Sequence, residues 1–409
     1  MKLRTLTAVA ATLATGAALA AAPLAAETLA VHVDRLWTAA GGPIADGVVL
    51  MRDGKIEQVG PASEVPIPAG TRTIRGAVAT PGLVDAHTVV GLSGIYNVDH
   101  DQDQLDTTAP IQPELRAIDA YNPRERLVEW LRELGVTTIH TGHGPGALAA
   151  GQTLVAKTVG ETISQAVIRP EAMVAMTLGP EVGDAFDSPG TRAKGVALLR
   201  ADFVKAQEYA RKLGGKDPEK RPARDLKLEA LARVLAGELP ALVTAHSAVD
   251  IATALRLAKE FGFQLVLDGA AEAYLVLDEI RAAGVPVILH PTMARLAGET
   301  RSASLETAAK LADAGIAFAI QSGYEAYVPK TRVVLFEAAV AAANGLGFER
   351  ALAAVTIDAA RIVGVADRVG SLEPGKDADV VVYDGDPFEY TSHVCHVIVG
   401  GRVVSEVCR

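Results

Sequence analysis

Four of the nine histidines stand where an apolar run stops. His87 follows Leu83-Val84-Asp85-Ala86, His140 follows Val136-Thr137-Thr138-Ile139, His246 follows Leu242-Val243-Thr244-Ala245, and His290 follows Val287-Ile288-Leu289. Continuous apolar runs of this length read as strands buried on both faces. Set in parallel, such strands bring four imidazoles to one rim, and neutral rings gain little from clustering without a shared cation, proton or anion. His143, a few residues past the second run, can join them as a substrate contact. Two carboxylates could serve as a base there: Asp268, which ends Leu265-Val266-Leu267, and Glu325, beyond the run at 316–321. Tyr324 stands beside Glu325 as a second substrate contact, and Lys157 in LVAKT as a third. Lys157 also reads as half of an ion pair with an acid, or alternatively as a carboxylated metal ligand.

The elements that must hold these groups follow a rhythm. LRELGVTTIH, AKEFGFQLVLD, IRAAGVPVILH and LADAGIAFAIQ each run helix, glycine, apolar strand. Gly135, Gly262, Gly284 and Gly315 stand where a helix takes a left-handed residue before the chain turns. This α/β alternation predicts a (β/α)8 TIM-type barrel over 81–366, with its site at the carboxyl ends of the strands; a doubly wound open sheet is the runner-up. TGHGPGALAAGQT has glycines in neither the Walker nor the dinucleotide spacing, which weighs against a nucleotide-binding sheet. Residues 27–80 and 367–409 read instead as strand and turn, with hairpins at Asp53-Gly54 and Gly400-Gly401, and predict a small composite β-sandwich built from both ends. The polar stretch at 97–115 reads as a solvated lid. Its Asp99, Asp101 and Asp103 have calcium-loop spacing, but no glycine holds the sixth position and Pro110 stands where the bidentate glutamate belongs.

Residues 1–26 carry Lys2 and Arg4, then an uncharged Ala/Leu/Thr run and small residues, the pattern of a cleaved signal peptide. The mature chain is therefore expected to be exported, to a periplasm or beyond, with no membrane association after cleavage. Without Lys2 and Arg4 it has 37 basic against 49 acidic residues, and no basic stripe suited to nucleic acid. A small molecule is the expected partner, and self-association into a homo-oligomer is left open.

PGLVDAH is similar to the first-strand signature of the amidohydrolase superfamily, metal-dependent hydrolases that act mostly on C–N bonds. VTAHSAVDIATAL and DAARIVGVADRVGSLEPGKDADVVVYDGDP extend the resemblance over nearly the whole mature chain, toward its imidazolonepropionase-like branch. The resemblance implies zinc or another divalent metal, with His87 and His246 at two ligand positions. Other ligand positions hold Val89, Gly269 and Ser322 in place of two histidines and an aspartate, and the fourth strand, AMVAMTLG, offers no lysine or carboxylate. The missing aspartate would remove a general base as well as a ligand. A rebuilt metal set of His87, His140, His246 and His290 is the expectation if an ion is held, with Asp268 or Glu325 as base.

Two functional readings follow. One is a hydrolase that cleaves an amide, cyclic amide or dipeptide bond through a metal-activated water. The other is a degenerate barrel that binds a small molecule or performs metal-free acid–base chemistry. Cys395 and Cys408, the two cysteines of an exported chain, are expected to form a disulfide across the closing hairpin, with Cys395 opposite Glu406 and a bulge or twist bringing Cys408 alongside. Thiol titration of the unfolded, unreduced protein should therefore detect no free thiol.

Overall fold

The computed structural model describes residues 28–96, 98–293, 296–324 and 333–408; the leader at 1–26 and Glu325 lie outside the described residues. The chain opens with β1 (Thr28–Leu36), β2 (Ile44–Arg52), β3 (Lys55–Pro61) and β4 (Arg72–Pro81). Asp53 and Gly54 join β2 to β3 with φ of 51° and 79°, the double left-handed turn that matches strand twist. β1 pairs antiparallel with β2 and parallel with β4, so Val31 lies between Val49 and Ile74.

The middle of the chain supplies β5 (Leu83–Thr88), β6 (Val136–Thr141), β7 (Gly151–Gln152), β8 (Leu154–Lys157), β9 (Val167–Arg169), β10 (Val174–Thr177), β11 (Ala241–Ala245), β12 (Leu265–Gly269), β13 (Val287–Leu289) and β14 (Phe318–Ile320). Every residue of β5, β6, β8 and β10 to β14 is buried, which is why these strands read as unbroken apolar runs. One sheet runs β5-β6-β8-β9 and another β14-β13-β12-β11-β10-β7. A parallel bridge between Thr88 and Gly323 links the ends of β5 and β14, and Thr153 alone separates β7 from β8. Gly262 and Gly284 cap their helices in the left-handed region as expected.

One feature departs from the parallel rhythm. β8 runs antiparallel to β6, and β7 to β10. Only residues 142–150 separate β6 from β7, too few for the dozen or more that a parallel crossover needs, so the chain returns as a hairpin.

The chain closes with β15 (Val380–Tyr383), β16 (Val394–Val399) and β17 (Arg402–Ser405). β15 pairs antiparallel with β4, which puts both chain ends in one seven-stranded sheet, ordered β17-β16-β15-β4-β1-β2-β3. Cys395 and Cys408 are disulfide-bonded, with Cα atoms 3.8 Å apart. The register differs from the simple hairpin: a bulge sets Val397 opposite Ser405, shifting β17 by one residue and drawing Cys408 toward Cys395.

Lys157 fastens this terminal sheet to the middle of the molecule. It lies beside Thr138, two residues before His140 in β6. Its ammonium pairs with Asp379 and, at 3.2 Å, with Asp377; Lys55 and Arg368 also reach Asp377, at 2.7 and 2.9 Å. Burial pushes the Asp377 carboxyl up, but these cations bring it below the ordinary 3.8. Lys157→Met leaves the buried Asp379 without its cation, while Asp377 keeps Lys55 and Arg368, and should cost about 3–5 kcal/mol in urea unfolding at neutral pH. A carboxylate with a depressed folded pKa stabilises above its unfolded pKa and loses that contribution as pH falls. The gap between wild type and variant should therefore narrow below about pH 3.8.

Candidate functional site

The rim of the middle strands is organised by Asp268, near the end of β12 and 2% exposed. His87, in β5, approaches its Oδ1 through Nδ1 at 3.0 Å. Thr244, from β11, donates to Oδ2 at 2.7 Å, and Gln321, just past β14, donates to Oδ1 at 2.8 Å. Burial alone would raise the Asp268 pKa, but the His87 charge with the His87 and Thr244 hydrogen bonds hold it below the ordinary 3.8. Burial likewise disfavours charge on His87, yet Asp268 outweighs it and raises that pKa above the ordinary 6.5. With Nδ1 engaged, His87 keeps a buried Nε2 without a partner.

His246 and His290 follow β11 and β13 and line the same small cavity as His87, about 60 Å³ in volume. The His290 Nδ1–H donates to the Pro291 carbonyl at 2.7 Å, and its Nε2 is buried and unpartnered. Burial, aided by the His246 charge, pushes His290 down to about 4. His246 has Nδ1 buried without a partner, and its Nε2 lies 3.7 Å from Glu181. Tyr324 also lines the cavity, and its hydroxyl accepts from Gln104 Nε2 at 3.1 Å.

Other sequence candidates fall elsewhere. His140 does not line the cavity. Its Nδ1–H donates to the Ala86 carbonyl at 2.6 Å, and Nε2 meets Thr153 Oγ1 at 2.7 Å, so both nitrogens are engaged in the core. Burial pushes it to about 3, the His87 charge adding to the effect. His143 is buried with both ring nitrogens unpartnered, packed against Gly151 rather than lining the cavity. Lys157 belongs to the ion cluster at the other end of the strands. Sequence reading missed Glu181, which begins the short helix Glu181–Ala185 after β10 and supplies a carboxylate that the strand itself lacks. It also missed the donors Thr244 and Gln321, of which Thr244 alternates in β11 with apolar neighbours and carried a visible signal.

Among the described residues, no three or more His, Cys, Asp or Glu are grouped to hold a metal ion. Val89 and Gly269 line the cavity without a ligand atom, Ser322 donates its amide and hydroxyl to Asp85, and Asp268 is committed to three donors. As arranged, these residues do not fit the metal that the family resemblance implies.

The model described as the amidohydrolase family matches residues 331–405. The solved structure of an amidohydrolase from Thermotoga maritima matches with a TM-score of 0.86 and 30% identity, covering 92% of this chain and all of its own. The chain belongs to the amidohydrolase superfamily. Among curated members it is 26% identical to an imidazolonepropionase of Rhizorhabdus wittichii, over 87% of this chain and 94% of that one. It is also 26% identical to the amidohydrolase tasK of Hapsidospora irregularis, over 83% of this chain, although it spans only 38% of that protein's length. A zinc-bound adenosine deaminase from Xanthomonas campestris shares the fold at a TM-score of 0.57 and 18% identity.

Gly269 is the last residue of β12 and lines the cavity. Its φ is 74°, and a Cβ there would come within 2.5 Å of the His246 ring. Gly262 has a similar φ of 76° with nothing within 4 Å. Both Gly269→Ala and Gly262→Ala should carry a backbone cost of about 1–3 kcal/mol. Only Gly269→Ala should cost more than that and also displace His246, measurable by urea unfolding and a crystal structure of each variant.

Proposed function

We propose that this chain hydrolyses a C–N bond in a small amide, cyclic amide or dipeptide-like molecule, at the cavity where His87, His246 and His290 converge. The observation that carries the reading is this convergence, in a superfamily member, of three imidazoles that each keep a buried, unpartnered nitrogen. The paired sheets are read as a (β/α)8-type barrel over 81–366, fastened to a composite β domain of 27–80 and 367–409. The chain is read as exported once 1–26 is removed.

A metal-activated water is the usual route for such chemistry, and His87 and His246 stand at two of the positions that would hold the ion. Because the present arrangement does not fit an ion, proton transfer falls to the chain itself. Asp268 accepts the His87 Nδ1–H and fixes the ring, leaving Nε2 to take the proton of a water. Asp268 raises the His87 pKa, which favours uptake of a proton by the ring. Attack of that water on the carbonyl carbon would then break the C–N bond, with the proton passing to the departing nitrogen.

The test is turnover of a panel of N-acyl amino acids, lactams, cyclic ureides and dipeptides by protein purified without added metal. Expected is hydrolysis of at least one class, unchanged by chelator, and reduced about 10²–10⁴-fold in Asp268→Asn. Activity that requires stoichiometric metal would restore the metal-activated route. Ligand binding without turnover would identify a binding barrel.

A further inference from the structure

Of the three histidines that line the cavity, His290 is the one whose position the superfamily resemblance does not explain. It follows β13, its amide donates to the Gly269 carbonyl at 2.8 Å, and its ring is 3% exposed. The Nδ1–H is spent on the Pro291 carbonyl at 2.7 Å. Pro291 is in turn packed against Gly323, where even a methyl group would come within 2.7 Å of its ring. This fixes the tautomer. Nε2 of the neutral ring carries a lone pair, is buried and has no partner of its own, and the residue lines a cavity of about 60 Å³. A buried acceptor left unmade costs about 1–3 kcal/mol, so a ligand that supplies a donor recovers it and one that cannot does not. The volume is that of about four or five water-sized spheres, enough for a reacting carbonyl and its nitrogen but little more.

We propose that His290 Nε2 accepts a hydrogen bond from the N–H of the substrate's scissile or adjoining nitrogen. The substrate class is thus one with a hydrogen on that nitrogen: secondary amides, lactams or cyclic ureides rather than tertiary, prolyl-type amides. This inference rests on the hydrolase reading for the word scissile; the recognition itself requires only binding. His290 acts here as a specificity residue. A site built to pair with a substrate N–H rejects the analogue lacking it far more strongly than a site that reads shape alone.

The experiment compares cyclic ureides and lactams with their N-methylated counterparts, by calorimetric binding and by kcat/KM where turnover occurs. Wild type should prefer the N–H member at least tenfold. His290→Phe, which keeps a ring but removes the acceptor, should reduce the preference to within about twofold by weakening the N–H member. His290→Ala, which opens space, should behave likewise. Circular dichroism and thermal melting check that each variant is folded. If His290→Ala instead improves the N-methyl member and leaves the N–H member unchanged, the preference is steric and the inference fails. Equal binding of both members by wild type, binding of neither, or a preference that survives in His290→Phe also overturns it. An N–H preference in binding without any turnover would sink the hydrolase reading and leave this one standing.

Discussion

The rim of this molecule depends on keeping one buried carboxylate ionised. Asp268 is almost completely removed from water, and an isolated charge there would be costly. It persists because His87, Thr244 and Gln321 converge on it from three separate stretches of chain. Gln321 also donates to the Ile288 carbonyl at 3.2 Å, so the network reaches the neighbouring strand β13. Hydrogen bonds to this anion tie the strand ends together, and the same bonds fix the orientation of the histidine beside it.

Similar physics operates at the foot of the strands with the signs arranged differently. There, the carboxylates of Asp377 and Asp379 meet the buried ammonium of Lys157. The Asp379 backbone and side chain also accept from Gly82 and Gly400, joining the strap before β5 to the closing hairpin. Between rim and foot lies Asp85, wholly buried against the amide and hydroxyl of Ser322. Burial pushes that carboxyl up to about 7, with Ser322 pulling the other way. Where cationic partners are close the carboxylate is held ionised. Where the main partner is a neutral serine it is not held so firmly.

What could be read from the sequence was whatever has a local cause. A glycine after a helix marks a left-handed cap, and Gly262 and Gly284 take that conformation because the chain must reverse there. An unbroken apolar run marks a strand covered on both faces, so the strand ends carrying His87, His246 and His290 were visible. The bulge in the last hairpin, which brings Cys408 to Cys395, was legible only as a requirement for closing the distance. The antiparallel return at 142–150 had a local cause too, its length, but the glycine-rich run drew attention to phosphate motifs instead. Glu181 was not legible: it reaches His246 from a short helix whose direction depends on tertiary packing after Pro180.

The four strand-end histidines show most clearly why position alone does not assign chemistry. In sequence they are equivalent, an imidazole closing an apolar run. In the structure the partner of each Nδ1 separates them. A carbonyl takes the His140 Nδ1–H while Thr153 takes up its other nitrogen, so that ring is a brace within the core. A carbonyl also takes the His290 Nδ1–H, but nothing meets Nε2, so that ring is a neutral acceptor in the cavity wall. For His87 the partner is a carboxylate, which raises the ring's proton affinity. His246 reverses the arrangement, with Nε2 toward Glu181 and Nδ1 inward, a ring position open to it because residue 269 has no Cβ. The hydrogen bond made on the far side of each ring therefore decides what the near side can do, and that bond comes from residues distant in the chain.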